Sequence, residues 1–368
     1  MLRGLKALIL VAALTLPIAA ANAVTVYFAG GEDTSFTAVG AAIGVRTSSE
    51  FRSSYARASI ATQNSTTVAD PPANRMQAPT FTSNSSLWFH AEVNENNGGI
   101  TTTANEQGIL FRSPDGVSRI VVRQTGTNGQ LKVSKRNAAG TITDLATASG
   151  NLTTATTSID LQIVYGCTAG DQVNLYLAGT QVITFTGASI CTDAATQLNQ
   201  VELASLNNQG STVTATQWSE VIVADSDTRG MALWTLSPQA AGNTQSWTPN
   251  TVGNVNPTAI TDSNFVSSTS SSQLSEWTTP TSTPTGTWNL LAIVQEARVE
   301  TSTTGPQTFE WLVRTKDGSD HVTGTVTPTV GAFANFSNQI WATNPHTSAA
   351  WAITDVASGF NLGIESTP

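Results

Sequence analysis

Charge is scarce in this chain: Asp, Glu, Lys and Arg make up 11% of its 368 residues. Disordered segments usually carry more charge and fewer β-branched and aromatic residues, so the polarity here does not read as disorder. Cysteine (2) and histidine (3) are scarcer still, and none of them stands at a metal-ligand spacing, which argues against a zinc motif. Lys and Arg number 16 against 25 Asp and Glu, a formal net charge of −9, so no basic surface for nucleic acid is visible. Beyond residue 23 no apolar run is long enough to span a bilayer. Long amphipathic helices are missing too; the nearest stretch, Ser189 to Leu206, is rich in Thr and Asn. No phosphate-cradling glycine loop and no Ser-His-Asp arrangement stands out.

What is abundant is Thr, Val, Ser, Asn and Gly, the composition of an all-β protein with many short strands and tight turns. The clearest stretch runs from Asp160 to Phe185. Asp160 to Tyr165 alternates polar and apolar residues, Gly166 to Asp171 breaks the period, Gln172 to Leu177 resumes it, and Val182 to Phe185 returns after Ala178-Gly179-Thr180. Three short strands with one face to bury form an antiparallel meander. Further strands are expected at Val24 to Phe28, Ser86 to Val93, Ile109 to Arg112, Ser118 to Arg123, Leu131 to Arg136 and Thr216 to Asp225.

The length suits two domains, with a seam at Asp225 to Gly230. The expected organisation is an export segment over residues 1–23, a first β-sandwich over 24–228 and a second over 229–368, most regular from 285 onward. The second part holds strands at Met231 to Leu236, Leu290 to Val294, Phe309 to Arg314, Val322 to Val326, Phe336 to Trp341 and Phe360 to Ile364. From Pro238 to Pro284 periodicity is weak, and the stretch reads as long loops over a sheet or a connection. No fixed repeat period links the halves, which excludes a solenoid.

Arg3 and Lys6, an apolar run from Ala7 to Ala20, and Ala21-Asn22-Ala23 have the form of an export signal, with a mature start at Val24. Its removal would move the net charge to −11 and leave no membrane span. Cys167 and Cys191 would then form a disulfide. In a cytoplasm both would instead be small buried apolar residues.

Several residues are candidates for chemistry. On the strand Ser86 to Val93, Trp88, His90 and Glu92 share one face while Leu87, Phe89, Ala91 and Val93 share the other. A ring beside hydrogen-bonding groups is what a sugar site needs, and a covering loop over Trp88 is the structural alternative. Arg112, Arg119, Arg123, Lys132, Lys135 and Arg136 gather much of the positive charge, with Arg112 and Arg123 as candidates to meet an acidic glycan or partner. Asp193, Asp225 and Asp227 are weak candidates for loop-bound calcium, and turn capping explains Asp225-Ser226-Asp227 equally well. No other cofactor is implied.

The meander resembles the centre of laminin-G-like and concanavalin-A-like lectin sandwiches, which implies that the last strand of the first domain pairs beside its first. Glu92-Val93-Asn94-Glu95 superficially resembles the acidic strand of laminarinase-like glycosidases. Those enzymes need two acids on one face about 5 Å apart for a retaining reaction, whereas residues three apart on a regular strand face opposite ways. Two blocks resemble tailed-bacteriophage virion proteins of tail or fibre type. One is Trp218 to Asp225 with Asp227 to Gly230 and Leu236-Ser237-Pro238; the other is Trp341 to Pro345 with Ala349-Ala350-Trp351 and Phe360 to Ser366. The resemblance implies a non-enzymatic structural protein on a particle surface, with other virion subunits or a second copy as partners and a cell-surface glycan as ligand. A secreted lectin-like adhesin is the alternative, and a glycosidase the third reading.

Overall fold

A computed structural model describes residues 2–5, 9–15, 24–40, 43–47, 58–63, 71–94, 107–127, 129–153, 155–191, 195–206, 215–255 and 262–368. Among these the chain is all-β, with its strands in four sheets and neighbouring strands paired antiparallel. The only α-helix among them is the single turn Val252–Val255. Two compact units emerge: Tyr27–Met231, and Met1–Val26 with Ala232–Pro368.

The first unit is a two-layer sandwich. In one sheet Ser86–Asn94 lies between Thr157–Val164 and Ala215–Ala224, and the meander Thr157–Val164, Gln172–Leu177, Thr180–Thr186 continues to the edge. Val26–Gly30 pairs with Ala215–Ala224, the meeting of first and last strands that the laminin-G-like resemblance implies. The second sheet runs in the order Ile142–Asn151, Gln130–Arg136, Ser118–Gln124, Gln107–Arg112, Gln200–Ala204, Arg75–Gln77, Thr37–Val39. Alternate residues from each sheet meet between the layers: Leu87, Phe89, Ala91, Val93, Leu161 and Ile163 from one, Ile109, Phe111, Ile120, Val122, Leu131 and Val133 from the other. Period-two patterning therefore dictates which side chains leave water and which remain for function.

One bulge changes that periodicity. In Ala215–Ala224 the register shifts between Ser219 and Ile222, and Glu220 adopts φ 52°. The extra residue lets Trp218, Val221 and Val223 all reach the core, although Trp218 and Val221 are three apart. Ser219 and Ile222 still sit opposite Glu92 and His90.

In the second unit, a five-stranded sheet has the order Ala240–Gln245, Gln273–Thr278, Asn361–Thr367, Thr308–Arg314, Asp320–Val326. Trp277, Leu362 and Val313 lie in one cross-strand row and are all buried. The adjacent row, on the other face, is Thr278, Asn361, Arg314 and Asp320. A separate six-stranded sheet is built around Asn289–Thr301, which pairs with Ile9–Thr15 and Ala334–Trp341. Ala240–Gln245 and Gln273–Thr278 are strands within the stretch expected to be long loops or a connection. Ala240–Gln245 buries none of its residues, and Gln273–Thr278 buries the consecutive residues Ser275, Glu276 and Trp277, so neither shows an apolar residue at every second position.

Candidate functional site

His90 is directly across from Asp160 on Thr157–Val164, and its Nδ1 lies 2.8 Å from the Asp160 carboxylate. Thr228 places its hydroxyl 3.1 Å from the same oxygen and 3.0 Å from the Phe89 carbonyl, fastening the segment after Ala215–Ala224 onto the sheet. Both His90 and Asp160 are buried. Burial opposes the imidazolium, but Asp160, then Glu220 and Glu92, outweigh it and hold the His90 pKa above its ordinary 6.5. The Glu220 left over by the bulge thus contributes to the electrostatics of the His90 site.

Trp88 stacks on Tyr176, with ring centroids 5.9 Å apart and planes 22° from parallel. The Arg229 guanidinium sits 4.4 Å from the Tyr176 centroid and 5.4 Å from that of Trp88. Asp227 holds Arg229 in place through Nε contacts of 2.9 and 3.1 Å. Trp88 is consequently 9% exposed, and Glu92 is fully buried. A sugar stacking on Trp88 would have to displace Arg229.

Arg112 and Arg123 lie on the opposite outer face of the sandwich, since Phe111 and Val122 beside them point into the core. They therefore cannot share a site with Trp88, His90 and Glu92. Arg112 donates to Glu202 at 2.7 Å, Arg75 donates to Glu202 at 3.0 Å, and Gln77 also donates to this buried carboxylate. Arg123 donates to Ser134 at 2.9 Å and pairs with Asp144, which also accepts from Lys132 at 3.1 Å and Ser134 at 2.7 Å. Burial would raise the Asp144 pKa, but the hydrogen bonds from Arg123, Ser134 and Lys132 bring it down to about 2. Arg119 pairs with Asp115. Of the six basic residues that cluster in the sequence, Arg112, Arg119, Arg123 and Lys132 are paired with carboxylates, while Lys135 donates to the Ser189 carbonyl at 2.5 Å.

Asp227 is engaged by Arg229, and Asp225 accepts from Ser226 at 2.9 Å. Asp193 and Glu95 lie outside the described residues. Among the described residues, no group of three His, Cys, Asp or Glu is placed to hold a metal ion. Cys167 and Cys191 are joined in a disulfide, their Cα atoms 5.0 Å apart. The Asp171 carboxylate accepts from the Cys167 and Thr168 amides at 2.7 and 3.0 Å, shaping the turn that presents Cys167.

Sequence reasoning did not single out a cleft of about 300 Å³ in the second unit, at one end of the five-stranded sheet. Asn243, Thr278, Thr281, Arg314, Lys316 and Asn361 are among the residues that line it, with Ser358, Gly359 and Phe360 completing one wall. Beneath it Glu276 is fully buried, accepting from the Thr244 amide and from Asn361 Nδ2, each at 2.9 Å. Gly242 and Gly363 make room for Glu276. A methyl group at 242 would come within 2.8 Å of the Glu276 side chain, and one at 363 within 2.3 Å of the Ser275 carbonyl. Arg314 donates to Asp320 at 2.7 Å, and with the Asn243 amide oriented by its neighbours the Asn243 oxygen accepts from Arg314 at 3.0 and 3.1 Å. Lys316 pairs with Asp355 at 2.7 Å. The lining residues come from four separated segments, so no local motif announces them.

No family model matches the chain, and no curated protein sequence matches it. Among solved structures, an endo-β-1,4-glucuronan lyase from the fungus Trichoderma reesei aligns at 11% identity and TM-score 0.37, over 53% of this chain and 89% of its own. A carbohydrate esterase from Shiga toxin-encoding bacteriophage phi24B aligns at 13% identity and TM-score 0.35, over 55% and 98%. The botulinum neurotoxin type G receptor binding domain aligns at 10% identity and TM-score 0.32, over 79% and 87%. Likeness at this level says nothing about the chemistry of this chain.

Proposed function

We propose that this chain is a non-enzymatic structural and binding protein of a phage-like particle, part of a tail, fibre or surface decoration, with cell-surface saccharide as its external contact. The observation that carries this reading is the commitment of the sandwich carboxylates to internal bonds. Asp160 is taken by His90 and Thr228, and Glu202 by Arg75, Arg112 and Gln77. Glu92, the acid a glycosidase reading would require, is fully buried. Carboxylates used this way rigidify sheet faces, which suits a scaffold exposed to proteases and shear. The two virion-like blocks in the sequence supply the particle assignment. Mass spectrometry of purified particles from the source is expected to find the chain in stoichiometric amount; its absence from particles would overturn the assignment.

A secreted lectin-like adhesin is the second reading, and the Cys167–Cys191 disulfide favours it, because disulfides persist in oxidising compartments. It requires cleavage before Val24. That cleavage would strip Leu2–Leu5 and Ile9–Thr15 from the sheet in which they pair with Asn289–Thr301.

A further inference from the structure

We propose that the cleft at the end of the five-stranded sheet binds neutral, hydroxyl-rich saccharide units through Arg314, Lys316, Asn243 and Asn361. This deepens the saccharide-contact part of the reading above and does not need the particle assignment.

The floor of the cleft is preorganised. Thr278, Asn361 and Arg314 are cross-strand partners in one row, so their spacing is that of the sheet itself. Each long side chain is held by partners it already has: Arg314 by Asp320 and by the lining residue Asn243, Asn361 by Glu276, and Glu276 in turn by the Thr244 amide. Groups already held in one rotamer lose little entropy when a ligand arrives. Hydrogen-bonding capacity remains after these bonds. Arg314 uses three of its five N–H groups and Lys316 one of its three. Thr281 and Ser358 add exposed hydroxyls at the rim, and the volume of about 300 Å³ falls at the lower end for small-molecule sites.

Charge selects the ligand class. Arg314 lies within the field of Asp320, Glu276 and Asp317, and Lys316 is paired with Asp355. Four carboxylates thus stand around these two cations, none of them among the lining residues. His346, which contacts Asp317 at 2.9 Å, adds positive charge only when protonated. The cations are already compensated from behind, so a uronate, sialate or phosphate would gain no net positive charge in the cleft. A sugar hydroxyl, which both donates and accepts, can bridge a guanidinium or amide N–H to a neighbouring carboxylate or threonine oxygen.

The test uses the full chain with maltotriose, cellotriose and chitotriose as neutral probes and trigalacturonate as the acidic one, read by saturation-transfer NMR and calorimetry. At least one neutral trisaccharide is expected to bind with Kd of about 1 mM or tighter. Ser358→Trp, at an exposed rim position, is expected to weaken binding about tenfold or more, and Lys316→Ala by severalfold, with far-UV circular dichroism unchanged. Thr180→Ala, at an exposed hairpin position in the other unit, is expected to leave binding unaltered. Preference for trigalacturonate, wild-type affinity in both Ser358→Trp and Lys316→Ala, or no binding by any neutral probe up to about 10 mM would each overturn the proposal. Particle association of Ser358→Trp is measured separately: a variant that assembles but has lost the sugar leaves the particle reading standing.

Discussion

His90 shows how a single residue acquires its character from neighbours remote in sequence. Burial alone would make the imidazole neutral, yet Asp160, Glu220 and Glu92 keep it protonated to a pH above 6.5. A folded-state pKa raised above the unfolded value means that the imidazolium contributes stability fully below pH 6.5, and that this contribution is lost as pH rises through the folded-state value. NMR titration of the ring is expected to give a midpoint above 6.5, with denaturation resistance falling across the same window. Asp160→Asn removes the hydrogen-bonded carboxylate and is expected to bring the midpoint down. An imidazole that titrates below 6.5 in the wild-type chain would refute this account of the site. Glu276 makes the same point in the second unit, because it is acceptable at full burial only while Thr244 and Asn361 donate to it.

Among the elements, those with clean alternation were legible in advance. Ser86–Asn94, Gln172–Leu177, Met231–Leu236 and Thr308–Arg314 lie where apolar residues recur at every second position, since each has one face against a core. Ile142–Asn151 and Ala240–Gln245 were not legible, because an edge strand with few buried residues carries no such signal. The bulge at Glu220 was hidden because Val221 to Ala224 is apolar at four consecutive positions, which fixes no phase for the strand. The disulfide links the loop before Gln172–Leu177 to the turn after Thr180–Thr186, closing a separation of 24 residues around one hairpin. By restricting the unfolded chain, a loop of this size is worth about 3 kcal/mol. Replacing Cys167 and Cys191 together by Ser is therefore expected to lower the unfolding free energy in urea by that order, and an unchanged midpoint under non-reducing conditions would show that the bond is not formed in solution.

For the molecule as a whole, the decisive measurement is intact mass. A particle component assembled in the cytoplasm retains residues 1–23 and keeps Ile9–Thr15 against Asn289–Thr301. A secreted adhesin begins at Val24. The particle reading requires the full N-terminus in protein recovered from particles, against the Val24 start that the export-like segment implies; a mass matching a Val24 start would favour the adhesin. The sequence by itself determined the all-β class, the meander, the two faces of Ser86–Asn94 and the shortage of basic surface, because these depend on composition and on a period of two residues along one strand. Tertiary structure alone decided that Arg229 covers Trp88, that Arg112 and Arg123 face away from His90, and that Asn243, Arg314, Lys316 and Asn361 enclose one cleft. Those facts depend on which distant strands become neighbours, and sheet pairing is set by the summed burial of many side chains rather than by any local pattern.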